Sequence, residues 1–228
     1  MGKKKEPAFE PEAEADLKKR AGRIAALLAK DYAGKTMPLN FNSPFELLIA
    51  TILAAQCTDA RVNAVTPELF GHYPDPRALA GADVADVERI IRTTGFFHNK
   101  AKAIQAASRA IVERFGGRLP ESIEDLTALP GVGRKTAHVV RGNALGLPAI
   151  FVDTHVIRVS GRLALTASAD PARIETDIAR LVPENTWTSF CNHMTWHGRS
   201  VCVARNPRCA ECILNRDCPT GRRLLPSD

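Results

Sequence analysis

The chain has 228 residues, 45% hydrophobic and 25% charged, with a formal net charge of +6 at pH 7. That length holds one large domain or two small ones with a proper core, and the composition excludes a disordered polyelectrolyte or a membrane-embedded bundle. The positive balance favours polyanionic partners, although many basic proteins never touch nucleic acid.

The N-terminal MGKKKEPAFEPEAEADLKKR has mixed charge with Pro and Glu, and a mobile extension is expected over residues 1–20. No apolar run follows its lysines, so it does not read as a signal peptide. Glu6 stands where a myristoylation signal needs Ser or Thr. The longest apolar stretch, FELLIATILAA, stops at Gln56 and is too short to span a bilayer. A monomer without membrane contact is expected, cytoplasmic and associated with the nucleoid if the source is bacterial.

From Ala21 onward Ile24, Leu27 and Leu28 share one helical face. Ser43-Pro44-Phe45-Glu46 offers an N-cap, a proline for the first turn and a capping-box glutamate. The amphipathic run DVADVERIIRTTG ends on Gly95, a C-cap signal, and Asp170-Pro171 reads as a further cap followed by proline. Only AIFVD hints at a strand, and it is too short to found a sheet. The chain therefore reads as all-α. One core is expected over 37–147, and a second, discontinuous domain over 21–36 plus 148–228.

Leu129-Pro130-Gly131-Val132-Gly133 predicts a tight turn between two helices, a helix-hairpin-helix over about 121–146. Its second helix opens with Arg134-Lys135-Thr136, so backbone N–H groups and the positive helix end face outward, as a phosphate requires. Gly131, Gly133 and Arg134 are candidate contacts to a DNA backbone. A plain glycine turn with solvated cations is the bland alternative, and the full string LPGVGRKTA argues against it. Lys135 sits beside Arg134 at that helix end, where a second positive charge is disfavoured. Its neutral amine could attack a carbon such as C1′ of deoxyribose and form a Schiff base. Asp153, in VDTHVIR, reads first as an N-cap. As an active-site carboxylate it could also assist proton transfer and stabilise the positive charge that develops as a base leaves.

Four of the six cysteines crowd the C-terminal region as CVARNPRCAECILNRDC, a C-x6-C-x2-C-x5-C spacing. Cys202, Cys209, Cys212 and Cys218 suit zinc or an iron–sulfur cluster, with disulfides disfavoured in a reducing compartment. Cys57 and Cys191 read as buried thiols.

Taken together, LPGVGRKTAHVV, VDTHVIRVSGR and the cysteine loop resemble endonuclease III, of the helix-hairpin-helix DNA glycosylase superfamily, over roughly 21–218. The resemblance implies a two-domain fold with a cleft between a six-helix domain and an iron–sulfur cluster domain. It also implies a 4Fe–4S cluster on the four cysteines. Lys135 then matches the Schiff-base lysine and Asp153 the catalytic aspartate of a bifunctional enzyme. Such an enzyme excises oxidised pyrimidines from duplex DNA and cleaves abasic sites by β-elimination. Arg205 and Arg208 become phosphate contacts, and Gln56 a side chain that fills the space left by the flipped base. From their own positions, Asp59 reads as a lesion-pocket residue or a helix cap, and His155, just after Asp153, as the histidine nearest the chemistry. Phe96 reads as a core ring or, if exposed, a wedge, although relatives often carry an aliphatic residue there. A monofunctional adenine or mismatch glycosylase, and a non-catalytic DNA-binding protein, are the alternatives.

Overall fold

The structure is a computed structural model that describes residues 12–225; the N-terminal lysines at positions 3–5 lie outside the described residues. Among the described residues every regular element is helical, and 150–153 is extended chain without a strand partner. The contacts divide the chain into Met37–Ala149 and a discontinuous unit of Met1–Thr36 with Ile150–Asp228. The second break falls two residues later than the predicted one.

In the 37–149 unit the central element is α2 (Pro44–Leu53), buried along nearly its whole length from Phe45 to Leu53. A helix apolar on all sides belongs in the middle of its neighbours, and α2 packs against α3 (Asp59–His72), α6 (Phe97–Phe115) and α8 (Arg134–Asn143). Ser43 Oγ accepts from Glu46 N at 3.2 Å as predicted, while the Glu46 carboxylate reaches back to Asn42 N at 2.7 Å. The remaining helices are α4 (Pro76–Ala80), α5 (Val84–Ile91) and α7 (Ile123–Thr127). Asp75 caps the five-residue α4 ahead of Pro76, and this helix brings the unit to seven. The run toward Gly95 is α5 followed by a 3-10 turn over Arg92–Thr94, with Gly95 at φ +70°.

In the discontinuous unit α1 (Glu14–Asp31) packs on α11 (Trp187–Ser200) and α10 (Pro171–Leu181), and α9 (Thr154–Arg162) packs on α11. Ala21, Ile24 and Leu28 are fully buried. The first helix starts at Glu14, which corrects the expectation of a mobile segment through residue 20. The reason is Arg20, which is 6% exposed. Its guanidinium donates to Leu163 O at 2.6 Å and Asp217 O at 2.9 Å and pairs with Glu12 at 2.8 Å. Asp170 caps α10 by accepting from Arg173 N at 2.9 Å. Cys191 is buried, and its thiol is pushed up to about 12 by that burial. Cys57 is only half-buried.

Candidate functional site

The hairpin joins α7 to α8 through residues 129–133. Leu129 and Val132 turn inward, and Val132 N closes the turn on Leu129 O at 3.1 Å. Gly131 takes φ +77°, and a Cβ there would lie 3.1 Å from the Ala103 Cβ. Any other residue would combine left-handed backbone with a close contact to α6, so the glycine is a steric requirement. Gly133 caps α8 in extended backbone with no side-chain acceptor, so the positive end of the helix is not covered by a capping side chain. Gly131, Gly133, Arg134 and Lys135 are all exposed. Since α8 packs on the buried α2, the hairpin stands on the firmest part of its unit.

In the same unit Gln56 and Phe96 occupy two turns. Gln56 lies beyond the end of α2, which closes at Leu53, and takes φ +52°. It is exposed. Phe96 precedes α6 at φ +49° and is 64% exposed, an unusual position for a large apolar ring. Asp59 opens α3 but does not cap it, because Thr58 accepts from Arg61 N at 3.3 Å.

In the other unit Asp153 does cap α9. Its Oδ1 accepts from His155 N at 2.8 Å and Val156 N at 2.7 Å, while Thr195 Oγ1 donates to Oδ2 at 3.4 Å. The carboxylate is half-buried, with one oxygen fixed by backbone and the other less committed. Arg158 Nη2 donates to His155 Nδ1 at 3.0 Å and to Gly198 O at 2.8 Å, and its Nε donates to Cys202 O at 3.0 Å. The imidazole is thereby oriented, and burial lowers its pKa below the ordinary histidine value. Gly198 is the floor of this arrangement, because a Cβ there would come within 2.9 Å of the His155 Cβ.

All four C-terminal cysteines line one cavity with Val159, Leu163 and Leu214. Burial pushes the Cys212 thiol up to about 11, opposed by the Leu214 N–H and reinforced by the other three cysteines. Cys209 and Cys218 are raised first by burial too. Four sulfurs gathered in one cavity suit a cationic centre that binds them as thiolates, which is the chemistry of a metal-cluster ligand set. Donors already face the sulfurs: Gly221 N to Cys218 Sγ at 3.2 Å, Leu214 N to Cys212 Sγ at 3.4 Å and Arg162 Nη1 to Cys202 Sγ at 3.4 Å. His197 is pushed down to about 4 by burial and is neutral. Its Nδ1 shares a hydrogen bond with the Tyr32 hydroxyl at 3.0 Å, and its Nε2 faces Cys212 Sγ at 3.5 Å. Arg205 and Arg208 are exposed on the loop, and Arg208 also holds the Ser200 carbonyl.

Sequence reasoning missed Arg158, Arg162 and His197. The only signal for the first two was their spacing of four on one face of α9, opposite no acidic partner in sequence.

Residues 49–184 match the HhH-GPD superfamily of base excision DNA repair proteins, and 202–218 match the iron–sulfur binding domain of endonuclease III. Endonuclease III of Synechocystis sp. is 52% identical, over 91% of this chain and 95% of that protein. The Escherichia coli K12 enzyme of the same name is 40% identical, over 86% and 92%. Among solved structures, a non-covalent endonuclease III–DNA complex superposes with a TM-score of 0.84 at 38% identity, covering 90% of this chain and 97% of that one. A trapped covalent endonuclease III–DNA intermediate gives a TM-score of 0.83 at 36% identity, covering 93% and 99%. The hairpin, the cysteine loop and these likenesses along almost the whole chain agree: the protein belongs to the endonuclease III family of the HhH-GPD base excision DNA repair superfamily.

Proposed function

We propose that this chain excises oxidised pyrimidines from duplex DNA through a Schiff base on Lys135 and then cleaves the strand on the 3′ side of the lesion. Membership of the endonuclease III family makes it a DNA glycosylase and AP lyase of base excision repair, with a 4Fe–4S cluster as cofactor. The observation that carries the nucleophile is the exposed Lys135 in the first turn of α8, whose N-cap glycine has no side-chain acceptor, inside a hairpin suited to phosphate. Gly131, Gly133 and Arg134 grip the DNA backbone, and Arg205 and Arg208 add contacts from the cysteine loop.

The amine of Lys135 attacks C1′, and the glycosidic electron pair leaves with the damaged base. Ring opening gives the imine; loss of a C2′ proton then expels the 3′ phosphate, and water releases the enzyme. Asp153 opposes the positive charge that develops at C1′ as the base departs. Gln56 and Phe96 enter the stack where the nucleotide leaves, and Asp59 and His155 contribute to lesion recognition. Cys202, Cys209, Cys212 and Cys218 hold the cluster, which organises a segment with little apolar material of its own. The protein acts as a monomer.

Duplexes carrying an oxidised pyrimidine, an adenine mispair or a mismatched thymine separate the readings. Base release with strand cleavage is expected from the first alone. Base release without cleavage from either mispair would replace the proposal with a monofunctional glycosylase. For the ligand set, the purified protein is expected to hold about four iron atoms with broad visible absorption. Cys212→Ser is expected to lose most of that iron. Zinc in place of iron, or full iron retention in Cys212→Ser, would overturn the assignment.

A further inference from the structure

Lys100 is a cation in an unusual place. It lies on the first turns of α6, only 6% exposed, and among the described residues no carboxylate faces it. A buried ammonium is costly unless its donors are satisfied, and here the acceptors are main-chain carbonyls. Nζ donates to Leu53 O at 2.8 Å and to Thr94 O at 2.8 Å. Leu53 is the last residue of α2, and Thr94 the last of the 3-10 turn before α6. These are helix-end carbonyls without an intrahelical partner, which a cation suits.

Each carbonyl is followed within three residues by a non-glycine residue in the left-handed region: Gln56 at φ +52° after Leu53, and Phe96 at φ +49° after Thr94. The same α6 turn adds a bond from Lys100 N to Phe96 O at 3.0 Å. Residues other than glycine hold such backbone only where their surroundings over-determine it. The exposed side chains of Gln56 and Phe96 do not supply that constraint. The two turns come from segments some forty residues apart in sequence, and one ammonium ties them together.

We infer that Lys100 is a positioning residue for nucleotide extrusion, coupling the Gln56 turn to the Phe96 turn so that both side chains enter the base stack as one rigid unit. This rests on the roles given above to Gln56 and Phe96. Without the tie, each turn relaxes toward right-handed backbone and its side chain swings away from the stack. The affected step is opening of a paired lesion. Attack by Lys135 on a nucleotide already extruded is left largely intact.

The test compares the full-length, cluster-loaded protein with Lys100→Met, which keeps the volume and removes the donors, and with Lys100→Arg, which keeps donors for both carbonyls. Base excision is measured under single-turnover conditions on a lesion paired with its normal partner and on the same lesion opposite an abasic gap. A fluorescent adenine analogue opposite the lesion reports unstacking. Lys100→Met is expected to lose about tenfold or more on the paired lesion, together with the unstacking signal, and about threefold or less on the gapped duplex. Lys100→Arg is expected to recover most of the paired-lesion rate. Equal losses on both duplexes, or none, would overturn the coupling role. Should Lys100→Met fail to fold, Lys100→Arg decides the matter, because loss of unstacking in a folded arginine variant with both bonds available contradicts the inference. Gln56→Ala and Phe96→Ala serve as the control for the underlying reading. If they extrude and excise like the parent, that reading fails; if they fail while Lys100→Met does not, only the coupling is lost.

Discussion

Asp153→Asn is expected to fold like the parent protein and to release bases about 10² to 10⁴ times more slowly. The reason lies in how the carboxylate is held. Oδ1 accepts two backbone N–H bonds at the start of α9, and an asparagine carbonyl accepts the same two, with a capping strength equal to that of aspartate. The cap, worth about 1 kcal/mol, therefore survives, and only the negative charge is removed. Thermal melting checks the first half of this expectation and single-turnover base release the second. Unchanged release in a folded variant would remove Asp153 from the chemistry and leave it a helix cap.

Lys135→Ala is expected to abolish β-elimination and covalent trapping while keeping most of the affinity for duplex DNA. Lys135 is exposed, and substitution at such a position changes stability by about 0.5 kcal/mol or less. A total loss of strand cleavage therefore cannot be assigned to unfolding. The proposed phosphate contacts at Gly131, Gly133 and Arg134 are expected to remain, so binding should fall by a modest factor set by one lost cation. Gel-shift titration and strand-cleavage assays on the same preparation separate the two effects. A variant that still cleaves abasic DNA by elimination would place the nucleophile elsewhere.

The parts of this molecule that could be read in advance are those whose signals are local. Ser43, Asp170 and Gly95 announce helix ends because capping and positive φ depend on the nearest few residues. The hairpin and the cysteine spacing are readable for the same reason: each is written in one continuous stretch of chain. Gln56 shows the limit. Its polarity after an apolar run was visible, but the end of the helix at Leu53 and the left-handed turn at Gln56 were not. Arg20, Lys100, Arg158 and Arg162 were unreadable for a further reason. Most of their bonds go to main-chain carbonyls brought close by folding, and no pattern of residue types in the sequence announces those acceptors. In sequence such residues look like solvated charge. In the fold they clamp α1 to its unit, tie two turns together and join α9 to the cysteine loop.

The chemistry assigned to Lys135 is tested most directly by reducing the wild-type protein with borohydride on a duplex containing one abasic site, then mapping the adduct by mass spectrometry. The expected result is a single covalent adduct on the peptide that contains Lys135. Protein that binds the duplex yet yields no adduct, or an adduct carried by another residue, would contradict it.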